Sequence, residues 1–205
     1  LHGFLGMGEN WKTYANVMTK LGYRTHLIDQ RNHGKSFWSN QFSYSIMAED
    51  IINYCKYHKL EKVFILGHSM GGKVAMELAC NYPHLLKALI IADISPKKYE
   101  PKHQKILNGL SCLDFNKISS RAEADEKLAT VIPENNLRQF LLKNLYWIEK
   151  GKLGLRINIE VLKKANLMIG EELNSNFHSE LPCLFLKGVN SDYILDSDLE
   201  MIKRY

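Results

Sequence analysis

The stretch Val63-Phe64-Ile65-Leu66-Gly67-His68-Ser69-Met70-Gly71-Gly72-Lys73-Val74 decides the fold class. Its first four residues are a short, continuous apolar run, β-branched in part, as a strand of a parallel sheet buried on both faces should read. A Gly-rich turn follows, and apolar residues then recur at helical spacing through Val74, Leu78 and Ala79 until Tyr82-Pro83. The bare pattern G-x-S-x-G would arise by chance in roughly one chain in fifteen of this length, taking Gly and Ser each at about 7% of residues. Its context gives it weight, because a strand enters the turn and a helix leaves it, as the mechanics of an exposed serine require. Such a serine sits in a strained conformation that lifts its hydroxyl above the strand ends. Gly67 and Gly71 remove side chains that would collide, and the helix starting at Met70 turns free N–H groups toward any anion formed there. A phosphate loop is disfavoured, since Gly72-Lys73 is followed by Val74 rather than Ser or Thr.

Outward from this turn, helical and strand patterns alternate, which predicts a mostly parallel sheet flanked by helices. Trp11, Tyr14, Val17, Met18 and Leu21 mark one helix face that Gly22 can terminate. A short strand is expected from Thr25 to Asp29, a helix from about Tyr44 to Tyr57, and the next strand from Ala88 to Ile94. From about Ser95 to Phe177 the pattern turns polar and helical with no good strand, as in Leu137 to Trp147 and Glu160 to Leu167. This reads as an inserted helical cap. Strand character returns at Pro182 to Gly188, and a last helix starts around Asp196. The domain reading is therefore 1–96 and 178–205 for the sheet core, with 97–177 as the cap.

Composition excludes several function classes. The 205 residues, 45% hydrophobic and 24% charged, suit one globular domain with an insertion. No run of about 18 apolar residues suggests a membrane span. The +5 formal charge comes from dispersed lysines without an aromatic-interleaved stripe, so no nucleic-acid partner is expected. Four cysteines, Cys55, Cys80, Cys112 and Cys183, lack disulfide or C-x-x-C spacing, which favours a reducing, cytoplasmic setting. Neither metal nor cofactor is implied, because ligand spacing such as H-E-x-x-H is absent.

Four segments in one order, Leu1-His2-Gly3-Phe4, Asp29-Gln30-Arg31-Asn32-His33-Gly34-Lys35-Ser36, the turn around Ser69, and Ile91-Ala92-Asp93-Ile94-Ser95-Pro96, resemble the α/β-hydrolase family. Within it the chain is similar to the small bacterial capped esterase and thioesterase-like branch. The resemblance implies an acyl-serine mechanism on Ser69 with an ester or thioester substrate, and oxyanion donors at the N–H groups of Phe4 and Met70. It implies Asp93 as the triad acid, with Asp192 as the alternative place used by the wider family and Ser191 as a supporting residue. Relatives that open halides or epoxides use an aspartate nucleophile, which Ser69 disfavours.

A catalytic histidine is not found. In the family it lies in a loop after the last strand, and nothing after His178 is a histidine. His68 should point away from the hydroxyl, His2 and His33 belong to loop motifs, and His26, His58, His84, His103 and His178 read as packing or surface residues. Both ends of the chain accordingly read as truncated, with the base expected outside it. The competing reading is a catalytically inactive protein of the same fold. Lys97, Lys98, Lys102, His103 and Lys105 cluster at the cap start, where they could attract the phosphates of an acyl-CoA.

Overall fold

The computed structural model describes residues 1–173 and 178–204. In chain order the elements are α1 (Lys12–Lys20), α2 (Tyr44–Tyr57), β1 (Val63–His68), α3 (Met70–Asn81), β2 (Leu86–Ala92), α4 (Gln104–Ser111), α5 (Arg121–Ala129) and α6 (Asn135–Leu142). A hairpin of β3 (Leu145–Glu149) and β4 (Lys152–Leu155) follows, then α7 (Ile159–Lys164), α8 (Asn166–Ile169), β5 (Cys183–Leu186) and α9 (Leu199–Ile202). Strands β1, β2 and β5 form a parallel sheet in that order. Among the described residues no helix is long and apolar enough to cross a membrane.

Local sequence explains the element ends. Gly22, at φ 86°, closes α1 as the amides of Gly22 and Tyr23 return to the carbonyls of Thr19 and Met18. Ser43 caps α2 by accepting the Ile46 N–H. The core lies between the sheet and α2 and α3, where Ile51, Val74, Ala75, Leu78, Leu89 and Ile91 are buried. α3 is shielded over most of its surface, with Met70 to Met76, Leu78 and Ala79 buried.

Three elements depart from the sequence reading. Residues 25–29 form no ladder among the described residues, and just beyond them Gln30 donates its backbone N–H to His2 Nε2 at 2.9 Å and its side-chain amide to the His2 carbonyl at 2.7 Å. The segment read from sequence as a helical cap contains the β3–β4 hairpin, joined by Lys150-Gly151 with Gly151 at φ 85°. Tyr146-Trp147-Ile148 is an aromatic, β-branched run before a glycine turn, a strand signal that the flanking helical periodicity masked. Lastly, β1 is buried on one face only, with Phe64 58% exposed on the other. The expected cap end near Phe177, and Tyr205, lie outside the described residues.

Candidate active site

Ser69 occupies the turn between β1 and α3 at φ 50°, ψ −118°, a backbone region that non-glycine residues enter at a cost of about 1–3 kcal/mol. The turn is held from β2, where the Ala92 carbonyl accepts the Ser69 N–H at 3.0 Å. Its glycines are steric necessities. A Cβ on Gly67 would strike the Gly71 carbonyl, and one on Gly71 would lie 2.6 Å from the Leu1 carbonyl oxygen.

That contact brings the first residues of the chain to the turn. Leu1 runs beside β1 and accepts the His68 N–H at 3.1 Å. The next residues reverse direction, with the Gly6 N–H donating to the Gly3 carbonyl at 3.0 Å. Leu5 takes the positive φ, 60°, that this turn demands at its third position. Among the described residues, neither the Phe4 N–H nor the Met70 N–H donates a hydrogen bond, although both residues are buried. The first N–H groups of a helix have no intrahelical partner, so Met70 presents its N–H as the start of α3 does, and Phe4 brings a further unpaired donor to the same turn.

Asp93 follows β2 at φ 56°, its N–H held by the Leu186 carbonyl at 2.8 Å. Its carboxylate accepts the Gly188 N–H at 3.2 Å. Ser191 supports the same corner, since its N–H donates to the Gly188 carbonyl at 3.1 Å and a Cβ on Gly188 would stand 3.0 Å from its own. Asp192 sits elsewhere in character. It is 72% exposed and 3.1 Å from the Lys102 ammonium, which holds its carboxyl below the usual range.

A cavity of about 390 Å³ gathers these parts. Gly3, Phe4, His68, Ser69, Asp93, His103, Phe140 and Tyr193 line it, together with His2, Gly6, Asn10 and Trp11. Asp192 is not among the lining residues. Ser69, His103 and Tyr193 also border a smaller apolar recess formed with Met70, Ile94 and Ile169.

Residues 1–111 match the family described as the alpha/beta hydrolase fold. The chain belongs to the α/β-hydrolase family. It is 40% identical to a solved marine microorganism esterase, with a TM-score of 0.95 over all of this chain and 80% of that one. A Haemophilus influenzae protein carrying a provisional esterase/lipase name is 36% identical over 98% of this chain and 69% of its own length. An sn-1-specific diacylglycerol lipase of Danio rerio is 33% identical over all of this chain and 66% of its own. The chain thus spans about two-thirds of the length of these curated relatives.

The histidines of this α/β hydrolase fall into distinct groups. His2 and His33 are buried, and each has both ring nitrogens engaged. His2 Nδ1 donates to the Gly3 carbonyl at 2.8 Å, and His33 Nδ1 to the Arg31 carbonyl at 2.9 Å. Their Nε2 atoms accept the Gln30 and Leu5 amides at 2.9 and 3.2 Å. Burial lowers both pKa values, that of His33 to about 4, so both rings are neutral scaffold groups. His68 packs its ring over Gly3 and against Trp11. Among the described residues no histidine ring hydrogen-bonds to Ser69 or Asp93.

Sequence reasoning missed His103, Phe140 and Tyr193 as cavity residues. His103 precedes α4 and sets its ring 5.0 Å from that of Phe4, and burial followed by the Lys102 charge lowers its pKa. Its place among lysines suggested surface, and nothing in the local pattern marks the inward turn. Lys97 and Lys102 of that cluster are spent on Asp198 at 2.6 Å and Asp192.

Proposed function

We propose that this α/β hydrolase is a serine-dependent ester hydrolase acting through an acyl-Ser69 intermediate. The observation that carries this reading is a strained Ser69 at the start of α3 that shares one cavity with Phe4 and Asp93, the Phe4 and Met70 N–H groups on either side of it being unpaired among the described residues. Ser69 Oγ adds to the substrate carbonyl carbon while its proton passes to a general base. The two amides stabilise the resulting oxyanion, a contribution of about 10²–10³ in rate per donor. The alcohol or thiol then leaves with that proton, and water releases the acid from Ser69. Asp93, with Ser191 behind it, is the group that orients the base. Asp192 is the weaker candidate, because its charge is already matched by Lys102 at an exposed site.

The esterase and diacylglycerol lipase names of the relatives favour a carboxylic ester of lipid character. A thioester suits the same chemistry. For acyl-CoA, phosphate attraction would fall to Lys98 and Lys105, which make no ion pair among the described residues, since Lys97 and Lys102 are paired.

A second reading, a protein of this fold that binds acyl esters without turning them over, draws on the absence, among the described residues, of a histidine bonded to Ser69 or Asp93. A serine needs such a base to be a useful nucleophile. The test is therefore made on the protein expressed from its complete gene. Hydrolysis of p-nitrophenyl esters and labelling by a fluorophosphonate are expected, and Ser69→Ala should abolish both. Labelling that persists in Ser69→Ala overturns the assignment, and a wild type inert to both probes supports the second reading.

A further inference from the structure

The geometry points to Asn144 as a positioning residue that, together with His33, holds the Leu5 peptide and thereby aims the Phe4 N–H at the reacting carbonyl. This rests on the proposed role of Phe4 as an oxyanion donor and extends it to a residue outside the sheet core. The Leu5 peptide groups are gripped from both sides. Its N–H donates to His33 Nε2 at 3.2 Å, and its carbonyl accepts Asn144 Nδ2 at 2.9 Å. Leu5 has φ 60°, where a β-carbon is disfavoured, so the turn must be held by its surroundings.

Asn144 is itself fixed and fully buried. Its Nδ2 also donates to the Leu141 carbonyl at 3.1 Å, closing the end of α6. Its own carbonyl accepts the Arg156 N–H at 2.8 Å, at the base of the β3–β4 hairpin. The next residue, Ile157, bridges to His33, and the Asn158 N–H donates to the Asn32 carbonyl at 3.0 Å. Three consecutive residues leaving the hairpin therefore tie the two arms of the grip together. Asn144 Oδ1 has no hydrogen-bond partner. A buried amide that leaves its acceptor unsatisfied is costly, and the bonds its donor makes to the Leu5 and Leu141 carbonyls offset that cost. The consequence is mechanical coupling, because the segment that supplies Phe140 to the cavity also sets the geometry of the oxyanion donor.

The test uses the complete gene product with Asn144→Leu, which keeps the bulk and deletes the donor. Asn144→Ser is its partner, since a hydroxyl there can still serve the Leu141 carbonyl but is too short for Leu5. A displacement of about 1 Å at a reacting centre can cost on the order of 100-fold. Both variants should lose about 10- to 100-fold in kcat on p-nitrophenyl acetate with KM changed less than about threefold. Affinity for an alkyl boronic acid, whose tetrahedral Ser69 adduct places an oxygen in the oxyanion site, should fall in proportion to kcat/KM. If Asn144→Leu fails to fold, Asn144→Ser carries the test. Wild-type kcat and boronate affinity in a folded variant, with only a lowered Tm, would mean a structural role and overturn the inference. Activity surviving Ser69→Ala would instead overturn the underlying functional reading.

Discussion

At the residue scale, His33 shows how a neutral group can be conditional on pH. An imidazole in the unfolded chain protonates near pH 6.5, whereas burial lowers His33 to about 4 in the fold. Between those values the unfolded state binds more protons, so stability is present above about pH 6.5 and is lost as pH falls toward 4. A shift of that size is worth about 3 kcal/mol, and His2 is displaced in the same direction. Urea unfolding at pH 7, 5.5 and 4 should show this loss, and His33→Gln, which carries an uncharged acceptor, should flatten its slope. An equal slope in both proteins would rule out His33 as its source. The role of His33 was only half legible in the sequence. Its motif marked it as a loop residue, but the acceptor bond to the Leu5 amide joins positions 28 residues apart, and no local pattern reports such a contact.

At the scale of elements, α3 joins two things that the sequence presents separately, the serine turn and the neck of the segment that runs between β2 and β5. Lys73 lies one helical turn after Ser69 and is 0% exposed. Its ammonium donates to the Lys97 carbonyl at 3.0 Å and to the Glu171 carbonyl, with the Tyr99 ring 5.0 Å away. Those carbonyls belong to the two stretches that follow β2 and precede β5, which are also paired by Tyr99 N–H to Gly170 O at 2.7 Å and Leu173 N–H to Pro96 O at 2.9 Å. From sequence, Lys73 served only to argue against a phosphate loop, because a buried lysine and a surface lysine look alike in a pattern. Burial lowers its pKa from 10.5 to about 8. The unfolded lysine keeps its proton up to about 10.5, so between those values the unfolded state binds more protons and rising pH favours the fold. Relative to Lys73→Met, the wild type should therefore gain about 3 kcal/mol between pH 8 and 10.5, read by urea unfolding of both proteins across that range. A gap between them that stays constant with pH would place Lys73 in solvent rather than at the neck.

Across the whole molecule, the legible features were those encoded within short local windows of sequence. Ser69, Met70, the bounds of α2 and the strand nature of β1, β2 and β5 all follow from periodicity and glycine placement over a dozen residues. What stayed hidden depends on how distant segments meet: His103 turning into the cavity, Asn144 reaching Leu5, and the burial of each sheet face. The last has a physical consequence. The run Val63 to Leu66 is apolar throughout, as for a strand covered on both sides, yet only the face carrying Ile65, Leu89 and Ile91 is closed over by helices. On the opposite face, register places Leu66 beside Ile90 and Ile90 beside Leu184, with Phe64 and Leu186 flanking them. Phe64 is 58% and Leu184 53% exposed. Contiguous apolar surface on a sheet face attracts hydrophobic ligands and other copies of the chain. Expressed from its complete gene, a protein that leaves this face bare binds a hydrophobic dye such as anilinonaphthalene sulfonate in its native state, whereas one that covers it does not. The double variant Phe64→Lys, Leu184→Lys should lose most of that fluorescence with Tm changed by only a few degrees, because both side chains are already largely in water. Equal dye binding in the two proteins would place the accessible apolar surface elsewhere, with the cavity at Ser69 the next site to probe.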